Sequence, residues 1–213
     1  DNLAVLGSVR TSPPRSVPST PADGAASSRS PVTSGDGAAS VPELVTSAIE
    51  HPAVLESAHL LESEGYRVAL LPVQASGVVD VVGLAEAVGE GTRLVSLMWV
   101  NNETGVVQPI AEAVEAAHGV GALAHSDAVQ AVGHVPFSFR ASGLDLASLS
   151  GHKLGAPVGT GVLLARRGVT LAQVQGGGGQ ERGLRSGTVD VAGAAALAAA
   201  LAETVEGQEK ETA

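Results

Sequence analysis

From Val41 onward, the hydrophobic positions follow two alternating periods, one typical of short strands and one typical of helices. Nearly every residue from 92 to 100 (TRLVSLMWV) is apolar, as expected of a strand that is covered on both faces. Because strands alternate with helices, the pattern predicts βαβ units and a mostly parallel sheet flanked by helices. The predicted strands are 44–47, 66–73, 92–100, 122–125, 144–149 and 161–165, and the predicted helices are 52–64, 81–88, 110–117 and 191–205.

Residues 11–40 differ in composition from the rest of the chain. Ser, Pro, Thr, Ala and Gly dominate this segment, and Val17 and Val32 are its only strongly apolar residues. Such a segment buries too little apolar surface to offset its ordering entropy, so we expect a disordered insertion. The chain then divides into the start of the large domain at 1–10, this insertion, the main α/β domain at 41–205 and a charged tail at 206–213.

The composition narrows the expected partners. The chain has 213 residues and a hydrophobic content of 44%, enough for one sizeable α/β domain or most of one. Its net charge of −10 repels phosphate backbones and anionic headgroups, so neither nucleic acid nor a membrane is expected to bind. No run reaches the roughly 18 apolar residues that cross a bilayer. The N-terminus also shows no signal peptide, and we expect a cytoplasmic protein.

The chain contains no cysteine. This excludes disulfides, thiolate metal sites and a cysteine nucleophile from these 213 residues.

Three polar clusters directly follow predicted strands. They are NNETG at 101–105, HSDAVQ at 125–130 and SGHK at 150–153. In an open α/β sheet, ligands bind beyond the carboxyl ends of the strands. We therefore expect one edge of the sheet to bring the three clusters together.

Lys153 has the most specific chemistry of these clusters. The chain has only one other lysine, Lys210 in the charged tail, and uses arginine at its other basic positions. Unlike arginine, a desolvated lysine can lose its proton and attack a carbonyl. A solvated lysine at a strand end is the alternative, and the neighbouring polar clusters favour the nucleophile.

Asp127 suits a complementary role. A pyridoxal cofactor acts as an electron sink while its ring nitrogen stays protonated, and a buried carboxylate opposite that nitrogen keeps it so. The alternative is that Asp127 caps the AVQAV turn that follows it. The combination of HSDAVQ with SGHK favours the cofactor interpretation.

A metal site is the main rival to a cofactor site. His51, His125, Asp127 and His152 all carry ligand atoms. None of their local spacings is the i, i+4 pair on one helix that zinc hydrolases use. Lys153 beside His152 would also place a cation next to the metal, so we expect no metal.

The glycine-rich run GGGGQERG at 176–183 follows no strand in the manner of a phosphate loop, and alone it predicts a flexible turn. The RSGT sequence at 185–188 adds hydroxyl and cationic groups, and the two together suit a phosphate.

These clusters, in this order, resemble the cysteine desulfurases and the related selenocysteine lyases of the class-V aminotransferase group. The matching stretches are TSAIEHPAVL, LVSLMWVNNETGVVQPI, HSDAVQAVG, LDLASLSGHKLGAPVGTGVLL and GGGGQERGLRSGT, which cover most of residues 42–195. The resemblance implies the large domain of a pyridoxal-phosphate-dependent transferase of fold type I. It also implies that the domain is incomplete at both ends, because the family has a phosphate loop before the position of Asp1 and a cysteine-bearing domain after that of Ala213.

The resemblance also implies a role for each matching residue. Lys153 would be the catalytic Schiff-base lysine, and His51 would stack on the cofactor ring and assist proton transfers. Asp127 would pair with the pyridine nitrogen. The other implied contacts are Gln130 to the phenolic oxygen, Asn102 on the substrate's carboxylate side, Ser150 and His152 to the phosphate, and Thr188 to the phosphate of a neighbouring subunit.

In this family, L-cysteine is converted to L-alanine and the sulfur stays on an enzyme cysteine as a persulfide for iron–sulfur cluster assembly or tRNA thiolation. The resemblance therefore implies L-cysteine as substrate, a sulfur-acceptor protein and a homodimer. Two alternatives stay open: a selenocysteine lyase, and a truncated non-catalytic protein with the same fold.

Overall fold

The computed structural model describes the backbone of residues 1–12 and 43–211, and the side chains of these residues as far as residue 207. Apart from Thr11 and Ser12, the expected insertion at 11–40 lies outside the described residues. A six-stranded sheet forms the centre, in the order β2-β1-β3-β4-β5-β6. The strands are β1 (Leu44–Ser47), β2 (Val68–Leu71), β3 (Leu94–Ser96), β4 (Leu123–Asp127), β5 (Leu146–Ser150) and β6 (Gly161–Ala165).

The sheet is parallel from β2 to β5, and β6 runs antiparallel to β5. Thr46 pairs in register with Ser96, and Ser96 pairs with His125. One strand further, Asp127 pairs with Ser148. The carboxyl ends of the parallel strands therefore lie along one edge, which confirms the mostly parallel sheet that the sequence predicts.

Helices cover both faces of the sheet. They are α1 (Asn2–Val9), α2 (Pro52–Ser63), α3 (Val81–Ala87), α4 (Ile110–Gly119), α5 (Phe139–Ser142) and α6 (Val191–Glu211). Alternate residues of a strand point to opposite faces. Leu44 and Leu94 accordingly pack in a core with residues of α1 and α2, whereas Val45 and Val95 pack with residues of α3 and α4.

The structure departs from the predicted elements in several places. The strand predicted at 92–100 ends at Ser96, because Val100 pairs with Val107 and the chain turns there. Helices α1 and α5 have no counterpart among the predicted elements. Helix α6 continues to Glu211, through most of the segment expected to form a charged tail.

An ion-pair cluster joins the amino ends of the central strands to α1. Glu43 is wholly buried before β1, and its carboxylate lies 2.7 Å from Arg93 and 3.8 Å from Arg67. Arg93 also donates to the backbone carbonyls of Val9 and Ser12, at 2.7 and 2.6 Å. These contacts tie the described N-terminal segment to the sheet.

None of the helices in the part of the chain that the structure describes is long and apolar enough to cross a bilayer.

Candidate active site

The carboxyl edge of the sheet collects most of the residues that the sequence predicts for a site. His51 follows β1, and Asp127 is the last residue of β4. Lys153 lies in a short 3-10 helix, Gly151–Leu154, directly after β5. The parallel strands β1, β4 and β5 therefore place an imidazole, a carboxylate and a primary amine at the same edge of the sheet.

Asp127 is buried, with 6% of its surface exposed. Its Oδ1 accepts a hydrogen bond of 2.9 Å from the backbone N–H of Val129, so one oxygen does cap the following turn. Burial raises the pKa of the Asp127 carboxyl. Within the described residues, no lysine or arginine forms an ion pair with it. Desolvating a carboxylate is costly, and a cationic ligand at this position would lower that cost.

His51 begins helix α2 as its N-cap. Its Nδ1 accepts a hydrogen bond of 3.1 Å from the backbone N–H of Ala53, so a neutral ring carries its proton on Nε2. The ring is exposed, and one of its nitrogens lies within 4.8 Å of an Asp127 carboxylate oxygen. An oxygen of Asp1 lies within the same distance of both groups. The structure thus brings His51 and Asp127 together.

The SGHK segment forms a compact polar turn. The Ser150 hydroxyl is hydrogen-bonded to Nδ1 of His152, at 2.7 Å. A Cβ on Gly151 would lie 2.5 Å from the Thr160 hydroxyl oxygen, so only glycine allows this turn to pack so closely. Lys153 is exposed, and within the described residues its side chain makes no hydrogen bond or ion pair. Its amine is therefore available to a ligand.

The remaining predicted residues have side chains without hydrogen bonds in the described part of the chain. Asn102 is exposed after β3, and Gln130 is half-buried in the turn after β4. Thr188 is exposed outside the sheet, before α6. No hydrogen bond joins Thr188 to the other predicted residues within the described ranges.

Asn101 holds the turn that presents Asn102. Its Oδ1 accepts hydrogen bonds from the backbone N–H groups of Glu103 and Thr104, at 3.0 and 2.9 Å. Its Nδ2 donates to the carbonyl of Ile49. The first asparagine of NNETG is therefore structural, and the second is left free for a ligand.

His125 lies inside the protein and not at the ligand edge. Its ring is hydrogen-bonded to the Ser96 hydroxyl through Nδ1, at 2.8 Å, and to the Ser148 hydroxyl through Nε2, at 2.9 Å. Burial lowers the pKa of His125 to about 3, so the ring is neutral. Because both nitrogens are engaged, His125 does not offer the ligand atom that the rival metal interpretation assigns to it.

Glu50 is a site residue that the sequence analysis missed. It is 4% exposed, and burial raises the pKa of its carboxyl to about 8. A glutamate just before a predicted helix is usually exposed to solvent, where it interacts favourably with the helix N-terminus. Nothing in the local sequence therefore indicates that Glu50 is buried.

The residues at this edge fit pyridoxal phosphate. That molecule presents an aldehyde, a pyridine nitrogen and a phosphate group. The edge offers the unengaged amine of Lys153, the buried carboxyl of Asp127, and the hydroxyl and imidazole of Ser150 and His152. Asp127 carries the fit, because it is a buried acid with no lysine or arginine partner in the described residues.

Comparisons with known proteins show the family of this chain. A family model described as aminotransferase class-V matches residues 34–212. An IscS-like cysteine desulfurase from Mycobacterium tuberculosis is 49% identical over 173 residues, which are 80% of this chain and 44% of that protein. The chain thus spans less than half the length of this curated relative.

Solved structures of related proteins have a similar fold. A NifS-like protein has a TM-score of 0.76 and 40% identity, over 81% of this chain and 48% of that chain. SspA in complex with cysteine has a TM-score of 0.71 and 38% identity, over 74% of this chain and 46% of that chain. These similarities confirm the expected α/β fold, the fold type I large domain.

Proposed function

The chain belongs to the class-V aminotransferase family, and from this premise we propose that it acts on L-cysteine as a pyridoxal-phosphate-dependent cysteine desulfurase. The observation that carries the proposal is the buried carboxyl of Asp127 next to His51, on the same sheet edge as the unengaged amine of Lys153. The likeness to an IscS-like cysteine desulfurase and to SspA in complex with cysteine supports the choice of substrate.

When bound, pyridoxal phosphate supplies an electrophilic carbon for an amine and an electron sink for the bonds around the substrate's Cα. Lys153 Nζ would hold the cofactor covalently, and its amine would accept and return protons at the substrate. Asp127 stabilises a proton on the pyridine nitrogen, because an ionised carboxylate in a desolvated position favours a cation opposite it. Ser150 and His152 bind the phosphate as a hydrogen-bonded pair.

His51 limits the freedom of the cofactor ring. Its Nδ1 is engaged with Ala53, which fixes the ring orientation and leaves Nε2–H directed away from the helix it caps. The exposed imidazole is then free to stack on a planar ligand and to donate a hydrogen bond through Nε2–H. Asn102, whose amide makes no hydrogen bond in the described residues, binds the substrate carboxylate.

The sulfur leaves through a thiol that these 213 residues do not contain, since the sequence has no cysteine. In the proposed reaction, a thiolate attacks the sulfur of the bound L-cysteine, the Cβ–S bond breaks, and the carbon product becomes L-alanine. The acceptor thiol keeps the sulfur as a persulfide. With a dithiol as acceptor, L-cysteine and the dithiol give L-alanine, hydrogen sulfide and the cyclic disulfide, so atoms and electrons balance.

The proposal includes a second subunit. The Thr188 hydroxyl is exposed and makes no hydrogen bond in the described residues, which suits a contact to the phosphate in a neighbouring copy. A sulfur-acceptor protein is the other proposed partner.

The experiment supplies the purified protein with pyridoxal phosphate, L-cysteine and dithiothreitol, and measures L-alanine and sulfide. The proposal expects equal amounts of both products, none with L-serine, and none from Lys153→Ala. Cofactor binding without any L-alanine would contradict the desulfurase proposal and favour a non-catalytic protein that binds the cofactor.

A further inference from the structure

Glu50 connects the turn after β1 to the segment after β3. Its Oε1 accepts a hydrogen bond of 2.7 Å from the Ser47 hydroxyl and another of 2.8 Å from the backbone N–H of Met98. Its Oε2 is buried without a hydrogen-bond partner. One oxygen of Glu50 therefore holds two parts of the chain that are 48 residues apart, Glu50 and Met98.

A second side chain makes the same connection. Asn101 Nδ2 donates a hydrogen bond of 3.0 Å to the carbonyl of Ile49. Two hydrogen bonds, one made by a side chain of each segment, thus hold the turn at 48–51 against the segment at 98–101. This turn ends at His51, which follows Glu50 directly.

The segment after β3 is in turn fixed to β4. The backbone N–H of Leu97 donates to the carbonyl of His125 at 3.0 Å, and that of Trp99 donates to the carbonyl of Asp127 at 2.9 Å. A continuous set of hydrogen bonds therefore runs from Glu50 through the 97–99 segment to Asp127. In the described residues, no hydrogen bond links the His51 side chain itself to β4.

We propose that Glu50 is a positioning residue: by binding Ser47 and Met98 at once, its carboxyl sets the His51 ring against the Asp127 carboxylate. The proposal rests on the proposed function in one respect, since the aligned pair serves the ring of the cofactor. The alignment itself does not depend on a bound cofactor.

The charge state of Glu50 suits this role. Burial raises the pKa of its carboxyl to about 8, and the charge of Asp127 acts in the same direction, whereas the hydrogen bonds from Met98 and Ser47 act against both. At neutral pH, Glu50 is therefore a neutral acid beside the site. A glutamine has the same shape and the same acceptor oxygen, so it should replace Glu50 in this role.

The test compares Glu50→Gln with Glu50→Ala, and uses Glu62→Ala as control because Glu62 is an exposed glutamate on α2, the helix that follows Glu50. The measurements are the dissociation constant of pyridoxal phosphate and the visible circular dichroism of the bound cofactor, which reports how its ring is held. We expect Glu50→Gln and Glu62→Ala to stay within about twofold of the unmodified protein. Glu50→Ala should bind about tenfold more weakly, a loss of about 1.4 kcal/mol, and change the dichroism.

Two results would overturn the proposal. If Glu50→Ala binds like Glu62→Ala with the same dichroism, Glu50 does not position the site. If Glu50→Gln is as impaired as Glu50→Ala, the charge of Glu50 and not its hydrogen bonds is what matters. Should Glu50→Ala not fold, Ser47→Ala removes one of the two donors, and unaltered cofactor binding in that variant would also contradict the proposal.

A readout without cofactor separates this proposal from the proposed function. Amide hydrogen exchange of Met98 in the cofactor-free protein should be faster in Glu50→Ala than in Glu50→Gln, because only the alanine lacks the acceptor. If no variant binds pyridoxal phosphate but this difference is present, the proposed function fails and the connection through Glu50 stands. Equal exchange in the two variants would overturn the connection itself.

Discussion

A ring nitrogen of His51 lies within 4.8 Å of a carboxylate oxygen of Asp127, although 76 residues separate them in the chain. His51 is exposed at the start of α2, whereas Asp127 is buried at the end of β4. A planar cationic ligand at this point would meet a desolvated carboxylate along its edge and an imidazole beside it. The two predicted roles of these residues therefore refer to one place in the structure.

Asp127→Asn tests whether the carboxylate does more than cap a turn. Asparagine caps about as well as aspartate, so the variant should fold with nearly unchanged stability. Loss of the charge should weaken cofactor binding and reduce desulfuration about a hundredfold or more, as losing one charged group from a preorganised site does. Cofactor occupancy and the rate of L-alanine formation should be measured together.

Asp80→Asn is the matched control. Asp80 Oδ1 accepts from the backbone N–H of Val82 at 3.3 Å, which is the same i, i+2 capping contact that Asp127 makes to Val129. We expect this control to keep full occupancy and rate. If Asp127→Asn behaves like Asp80→Asn, Asp127 is only a cap.

Glu50 should make the free energy of unfolding depend on pH well above the pH at which a glutamate usually titrates. Because the pKa of Glu50 is raised from 4.5 to about 8, the folded state keeps a proton that the unfolded chain releases. This stabilising contribution is fully present below pH 4.5 and is lost as pH rises through about 8. Glu50→Gln does not titrate at this position. The free energy of unfolding of the variant, minus that of the unmodified protein, should therefore increase by a few kcal/mol as the pH rises from about 4.5 to 8.

Urea denaturation of both proteins across that pH range measures this difference. A difference that is constant with pH would mean that Glu50 is ionised in the folded protein.

His125 should cause a loss of stability in acid. Its pKa is lowered from 6.5 to about 3 in the folded state, so below pH 6.5 the unfolded chain takes up a proton that the folded state refuses. Stability therefore falls as pH drops from 6.5 towards 3. His125→Gln keeps an acceptor and a donor for Ser96 and Ser148 but does not titrate, so its unfolding temperature should fall less steeply over this range.

The exposed His134 provides the control for this measurement. In His134→Gln, the unfolding temperature should fall with decreasing pH as steeply as in the unmodified protein. If it also falls as steeply in His125→Gln, groups other than His125 cause the loss of stability in acid.

Arg93→Ala should be strongly destabilising. The substitution leaves the buried carboxylate of Glu43 without its contact at 2.7 Å and also removes the donor to the carbonyls of Val9 and Ser12. Breaking one partner of a buried ion pair costs about 3–5 kcal/mol. Arg167 is exposed, and Arg167→Ala should stay within about 0.5 kcal/mol. A cost below about 1 kcal/mol for Arg93→Ala, measured by denaturation, would show that the cluster contributes little.

Local sequence was informative where the periodicity was strong. Predicted strands begin and end within a few residues of β1, β4, β5 and β6. Helix α1 was missed for the opposite reason. It is short, and residues Ala4 to Val9 are all buried, so it lacks the polar face that marks a helix in a sequence.

The two buried titratable groups could not be recognised from sequence, because their environment is made by distant residues. Glu50 is buried by its contact with Met98, 48 residues away. His125 was grouped with the polar residues of the sheet edge, yet its neighbours on β3 and β5 supply Ser96 and Ser148 and keep it inside. The register of β4 with β3 and β5 determines which residues contact His125.

Lys153 is the residue on which the account depends. Its amine has no hydrogen bond or ion pair in the described residues, and it stands on the same edge as Asp127. If pyridoxal phosphate is held there covalently, borohydride should reduce the linkage and fix the cofactor permanently to this side chain. The bound cofactor should absorb near the violet edge of the visible spectrum. Lys153→Ala should lose this absorbance band, and Lys210→Ala, which removes the only other lysine of the chain, should keep it.

The most direct measurement is therefore peptide mapping by mass spectrometry after the protein has been incubated with pyridoxal phosphate and reduced with borohydride. The account predicts one modified peptide, which contains Lys153 in the SGHK segment. A reduced adduct on Lys210 with Lys153 unmodified would contradict the assignment of this sheet edge as the cofactor site.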